Sequence, residues 1–327
     1  MAMTSGDAVP VRADPEVAAL YNVIGANIAT VVHGNAEAIH LAVVAMLAEG
    51  HVLVEDVPGV GKTTLARALA ASVHGRWRRI QFTPDLLPSD VIGATVFNRE
   101  LGTFDFRPGG LFTNLVLADE LNRASPKTQA ALLEAMEEAQ VTVDATTYPL
   151  PRPFMVIATQ NPFERHGTYP LPDSQLDRFL VRISLGYPGR PAEMAMLDTH
   201  GAEAPVAEPA AVAGLDDVRA MIAATRAVHV APGVKSYILG LAEATRSSPA
   251  LTLGMSPRAS LALLRAARAE AAVHGRGHVL PDDVRRLAVP VLEHRLVLSP
   301  DARAAGHTRR QVVENLLASV PVPVGRD

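Results

Sequence analysis

The stretch EDVPGVGKTTLARALA, Glu55 to Ala70, constrains the fold of this chain more than any other. A short apolar run, HVLVE, precedes it and a helical run follows it, so it reads as strand, tight loop, helix. In that setting Gly59 and Gly61 let backbone N–H groups crowd against an anion, where side chains would block the approach. Lys62 adds a positive charge and Thr63 a hydroxyl. The usual spacing is G-x-x-x-x-G-K-[ST], and this chain has Asp56 where the first glycine stands. That glycine turns the chain out of the strand, a task aspartate also performs. Its carboxylate carries an expected penalty of about 2 kcal/mol against a phosphate roughly 8–10 Å away at an effective dielectric near 20. Lys62 and a metal ion would offset that, so the stretch predicts a triphosphate site.

Short apolar runs alternate with helical segments around this loop. Strands are predicted at 51–55, 79–82, 115–119, 154–159 and 179–184, and helices at 62–73, 88–92 and 126–139. Ser125 is the expected N-cap of the last helix, with Pro126 at its first position. Buried runs alternating with helices predict an α/β fold, a parallel sheet with helices on both faces. Ahead of it, 15–48 reads as two helices broken at Val32-His33-Gly34-Asn35. Two segments, 94–106 and 141–150, alternate like β-hairpins and look inserted.

After Tyr187-Pro188-Gly189-Arg190 the strand signal ends. Only helical periodicity follows, punctuated by Pro232-Gly233, Gly254, Pro281 and Pro300, with a loop over 200–214. A chain of 327 residues has room for two cores. The expected division is a disordered segment 1–14, a nucleotide-binding core 15–187 and a helical domain 188–327.

The run LVLADE ends a buried strand with Asp119 and Glu120, where ligands collect at the carboxyl edge of a parallel sheet. Asp119 can hold Mg²⁺ together with the Thr63 hydroxyl. Glu120 can polarise a water for attack on a γ-phosphate. Alone the two carboxylates could cap a turn; beside the phosphate loop they read as a hydrolytic pair. The strand FMVIATQN ends in Gln160-Asn161, amides able to bond the attacking water and a γ-oxygen. Arg178, before the fifth predicted strand, and Arg258, in GMSPRAS, are candidate guanidiniums for transition-state charge, although either alone could be a surface arginine.

In this order the residues resemble the AAA+ ATPases and, more narrowly, the MoxR family. HVLVEDVPGVGKTTLARALA, RRIQFTPDLLPSDVIG, FRPGGLFTNLVLADELNRASPKTQAALLEAMEEAQVTV, FMVIATQNPFE, YPLPDSQLDRFL and GMSPRAS carry the likeness, which runs from about Val23 to Pro323. The resemblance implies a P-loop AAA+ core with a five-stranded parallel sheet flanked by helices, two β-hairpin inserts and a smaller all-α lid domain. It implies that Gly59, Val60, Gly61, Lys62, Thr63 and Thr64, after Pro58, form the Walker A loop and that Asp119 and Glu120 form the Walker B pair. It further implies Asn161 as sensor 1, Arg178 as a finger reaching a neighbouring subunit, Arg258 as sensor 2, and adenine near Val32, His33 and Gly34. ATP and Mg²⁺ are the implied cofactors. Gly110 departs from a proline frequent in the family.

A finger acting in trans completes a site only when subunits pack head to tail, and such contacts close into rings. The expected protein is an ATPase in a homo-oligomeric ring, a hexamer by resemblance, that remodels or matures a client. By resemblance again, the client receives a metal or cofactor and is engaged through a partner with a von Willebrand factor A domain. The rival readings are a nucleic-acid motor and a nucleotide-dependent binding switch or chelatase-like regulatory subunit. The tract Gly75-Arg76-Trp77-Arg78-Arg79 favours the first, but a net charge of −4 supplies no general attraction for phosphates. The retained Glu120 disfavours the second. The absence of cysteine excludes thiolate chemistry. With no signal-peptide order and no run long enough to cross a bilayer, a cytoplasmic protein is expected.

Overall fold

The computed structural model describes residues 15–161, 167–187, 189–190, 193–194 and 209–323. The expected disordered segment 1–14, the first part of the 200–214 loop and Pro162 lie outside these residues. Helices α1 (Pro15–Ala29) and α2 (Ala36–Leu47) lead into β1 (Val52–Glu55), α3 (Lys62–Ser72), β2 (Trp77–Gln81) and α4 (Pro88–Ile92). The first hairpin is β3 (Gly93–Asn98) with β4 (Thr103–Pro108), followed by β5 (Leu115–Asp119) and α5 (Pro126–Glu138). The second hairpin is β6 (Gln140–Val143) with β7 (Thr146–Pro149), and β8 (Met155–Gln160), α6 (Asp173–Leu176) and β9 (Val181–Ile183) complete this part.

All five predicted sheet strands are present, and they pair in parallel in the order β2-β5-β8-β1-β9. Successive side chains of a strand point to opposite faces, and the core divides accordingly. Val52, Val54, Leu115, Leu117, Met155 and Ile157 pack with α1, α2 and α3. Leu53, Val116, Ala118, Val156 and Ala158 pack with α5 on the other side. Burying each of these Val, Leu, Ile and Met side chains contributes about 1.5–3 kcal/mol, so two covered faces require near-continuous apolar strands. Ser125 caps α5 as expected, its Oγ accepting from Thr128 N at 3.4 Å.

Both predicted hairpins form as two-stranded ribbons apart from the main sheet. Phe106 of the first stacks on Tyr148 of the second, centroids 3.8 Å apart and planes 11° from parallel. That contact joins the two inserts.

From residue 209 on, the described residues are mostly helical, with α7 (Leu215–Ala227), α8 (Pro232–Ser247), α9 (Pro257–Val273), α10 (Pro281–Leu292), α11 (Pro300–Ala304) and α12 (Arg309–Ser319). The expectation of an all-α region needs one correction. Leu251–Leu253 pairs antiparallel with Val297–Leu298, as β10 and β11. Strands of three and two residues are too short to show alternation, and this pair also carries a register shift. Among the described residues no helix is long and apolar enough to cross a membrane.

Buried polar contacts join the helical region to the sheet. Arg295, 5% exposed, donates from Nε to Asp177 Oδ1 at 2.7 Å and from Nη2 to the Phe179 carbonyl at 2.6 Å. Burial lowers its pKa to about 10, against the pull of Asp177. Arg182 of β9 bridges Glu55 at 2.8 Å and Glu293 at 2.7 Å. Glu270 of α9, 1% exposed, is met by His40 Nε2 of α2 at 2.8 Å.

His51, where the chain enters β1, accepts from Val156 N at Nδ1 and donates from Nε2 to the Met136 carbonyl. Burial holds its pKa down to about 4, so the folded ring stays neutral where the unfolded one takes a proton. A depressed histidine pKa means stability present above about pH 6.5 and lost as pH falls toward 4. From pH 7 to pH 5 the share of His51 in unfolding stability is expected to fall by about 2 kcal/mol. Urea unfolding of the wild type and His51→Gln at both pH values checks this, since the variant should lose that much less on acidification.

Candidate functional site

The loop after β1 carries Gly59 at φ 83° and Gly61 at φ 93°, left-handed values that favour glycine. Nothing lies within 4 Å of a Cβ built on either one, so that open space is the cradle itself. Gly61 is the N-cap of α3 and offers no side-chain cap to the first-turn amides. Pro58, Gly59, Gly61, Lys62, Thr63 and Thr64 border a cavity of about 380 Å³. Orphan amides at a helix start are a ready anion site. Val60 instead packs against the same apolar cluster that buries Val32.

Lys62 Nζ donates to the Asp56 carbonyl at 2.7 Å. Burial lowers the pKa of the ammonium, while Asp56, Asp119 and Glu120 pull it back up. The neighbouring carboxylates thus favour the charged form that a phosphate would meet.

The Asp56 carboxylate, besides standing where the first glycine is usual, is met by donors of the chain itself. Its side chain is 7% exposed. Oδ2 accepts from Leu185 N at 2.6 Å, Gly186 N at 2.7 Å and Ser184 Oγ at 2.9 Å, and Oδ1 accepts from Val57 N at 3.0 Å. These donors satisfy the carboxylate oxygens, and the contact fastens the loop to the segment after β9. Asp56→Gly would restore the common loop pattern, yet it is expected to lower unfolding stability by about 2–4 kcal/mol, because one buried and one half-buried amide lose a charged acceptor. Denaturant unfolding measures the loss, and ATP titration should show no tighter binding in the variant.

The ends of β5 and β8 place the carboxylates. Thr159, 1% exposed, donates from Oγ1 to Asp119 Oδ1 at 2.6 Å and accepts from Glu120 N at 2.9 Å. One hydroxyl therefore fixes both acidic residues. Glu120 has φ 57° and ψ 46°, a left-handed conformation worth about 1–2 kcal/mol of strain in a non-glycine residue. Gln81 Nε2 and Arg123 Nη1 each donate to Glu120 Oε2 at 2.8 Å. Asp119 Oδ2 accepts from Arg79 Nε at 3.0 Å and Nη2 at 2.6 Å. Asn161, as expected, borders the same cavity.

The donor set suits Mg²⁺. Asp119, Glu120, Thr63 and Thr64 present hard oxygens around one space, and Asp119 Oδ2 already attracts a cation, the Arg79 guanidinium. Among the described residues no group of three or more His, Cys, Asp or Glu could hold a metal alone. Mg²⁺ needs no such cage, because it takes one or two carboxylates plus substrate phosphates.

Two candidate residues lie elsewhere. Arg178 precedes β9, at the edge where the parallel strands begin, whereas the cavity lies where they end. Strands of this length separate those edges by about 15 Å. Arg258 sits with it, and both guanidiniums reach Glu137 near the end of α5. Val32, His33 and Gly34 form the turn between α1 and α2 and are not among the residues lining the cavity.

Arg79, Gln81, Thr159 and Glu137 escaped sequence reasoning. Gln81 lies directly across from Asp119 in the β2–β5 register, so a strand alignment would have exposed it. Arg79 was visible only as part of a basic tract.

The model of the ATPase family associated with various cellular activities (AAA) matches residues 51–181, and that of the AAA lid domain matches 243–316. The uncharacterized protein YeaC of Bacillus subtilis is 48% identical over 88% of this chain and 89% of its own. Chaperone MoxR1 of Mycobacterium tuberculosis is 41% identical over 90% of this chain and 80% of its own. A crystal structure of a candidate ATPase from Cytophaga hutchinsonii superposes with a TM-score of 0.87 at 36% identity, covering 95% of this chain and 98% of that one.

Proposed function

The chain belongs to the MoxR family of AAA+ ATPases, and from that premise we propose how its residues bind and cleave ATP and what the cleavage serves. The observation that carries the reading is the single cavity where Gly59, Gly61, Lys62, Thr63, Asp119, Glu120 and Asn161 converge.

First-turn amides of α3 and the Lys62 ammonium hold the β- and γ-phosphates. Mg²⁺, held by the Thr63 hydroxyl and Asp119, would neutralise charge on the phosphate oxygens. Glu120 takes the proton from the attacking water as its oxygen bonds to the γ-phosphorus and the bond to the β–γ bridging oxygen breaks. Gln81 and Arg123 occupy Glu120 Oε2, which leaves Oε1 to the water. Asn161 orients that water. Adenine binds near Val32, His33 and Gly34, between a core over 15–187 and a lid over 188–327.

Arg178 and Arg258 lie too far from their own cavity to touch its γ-phosphate, so both serve a neighbouring subunit. That requires a head-to-tail ring, a hexamer in this proposal. The client is a cytoplasmic protein complex awaiting a metal or cofactor, with a von Willebrand factor A domain protein as intermediary and the two hairpins as contact elements. A nucleic-acid motor is less well supported: Arg79, part of the basic tract, is engaged by Asp119.

Phosphate release measured against protein concentration tests the core of the proposal. Specific activity should rise with concentration as subunits associate; a constant value across the assembly range would refute action in trans.

A further inference from the structure

We infer that Glu137 is a positioning residue that holds Arg178 and Arg258 side by side as one dicationic unit for the neighbouring subunit's γ-phosphate. The inference rests on the trans reading above and adds a residue to it.

Glu137 divides its carboxylate between two distant parts of the chain. Oε2 lies 3.3 Å from Arg178 Nε, and Oε1 receives Arg258 Nη2. Arg178 comes from the segment before β9, and Arg258 from the first turn of α9. Side by side, two guanidiniums repel each other, and a shared anion cancels that repulsion. Helix geometry offers no other reason for an acid here. Glu137 is the penultimate residue of α5, where the helix dipole disfavours negative charge.

The backbones beneath the two arginines are fixed independently of Glu137. Asp177 Oδ2 accepts from Ser256 Oγ at 2.9 Å, and Ser256 also caps α9, accepting from Ala259 N at 3.0 Å. Arg295 holds Asp177 and Phe179 on either side of Arg178. Glu137 therefore sets only the side-chain heads.

The hold leaves capacity for a ligand. Arg178 Nε is buried beside Glu137, but the Arg178 side chain as a whole is 27% exposed. The Arg258 side chain is 42% exposed and that of Glu137 40%. A phosphate from the next subunit would find two guanidiniums held together and still partly open to solvent.

Glu137→Ala should lower kcat for ATP by about tenfold or more, with KM changed less than about twofold, because its own cavity is untouched. Glu137→Asp should recover part of the rate. The deciding test mixes Glu137→Ala with Glu120→Gln. The first variant keeps an intact cavity and the second an intact arginine pair, so random mixing makes about one interface in four wild-type in both halves and should restore about a quarter of the wild-type rate. Arg178→Ala mixed with Glu120→Gln serves as the control. A wild-type rate in Glu137→Ala alone overturns the inference. So does a slow Glu137→Ala that the mixture fails to rescue while the control recovers, since the defect would then be local to its own subunit. Failure of the control itself condemns the trans reading, and this inference with it.

Discussion

Arg178→Ala is expected to hydrolyse ATP about 10³-fold more slowly than the wild type while binding it equally well. The magnitude follows from what a guanidinium does at phosphoryl transfer, where negative charge spreads over the equatorial oxygens and a fixed cation stabilises it. The unchanged affinity follows from placement, because Arg178 stands at the opposite edge of the sheet from its own phosphate loop. Removing it subtracts from the transition state of the adjacent subunit and leaves the local ground state alone. Arg258→Ala should act in the same direction with a smaller effect, since its side chain is 42% exposed against 27% for Arg178. Steady-state phosphate release and equilibrium ATP titration, both above the assembly concentration, measure the two quantities. Wild-type turnover in Arg178→Ala would remove the reason for a ring.

The second large effect is expected at Glu120. Glu120→Gln should lose about 10²–10⁴ in kcat, the range for a general base, and retain ATP. The amide matches the carboxylate in shape, and its oxygen can still accept from Gln81 and Arg123 as Oε2 now does. The left-handed backbone and the bond from Glu120 N to Thr159 Oγ1 do not involve the substituted atoms. Only the ability to take a proton from water is lost. Single-turnover hydrolysis of bound nucleotide isolates that step, and a rate equal to wild type would assign the proton elsewhere.

Much of this site was legible because its chemistry is local in sequence. Gly59, Gly61, Lys62 and Thr63 act within one turn, and Asp119-Glu120 stands at the end of an apolar run, so strand, loop and carboxylate pair could all be read in order. The five strands were equally plain, since burial on both faces demands unbroken apolar runs. What stayed hidden depends on register and on long-range closure. Thr159 is one of several polar residues ending a strand until pairing sets it beside Asp119. Glu137 meets Arg258 across 121 positions, and the donors to Asp56 lie 128 to 130 positions onward. The little β10–β11 ribbon was too short to leave a period. Asp56 is the instructive case: the sequence offers it as a turn residue in place of the first glycine, and the fold also uses its carboxylate as an acceptor for the segment after β9.

That contact has a mechanical consequence. Leu185 and Gly186 are where the chain leaves the sheet for the helical region, and Asp56 bolts them to the mouth of the phosphate loop. A pull on this exit segment would therefore be transmitted, without slack, to the residue directly after β1, where the phosphate loop begins.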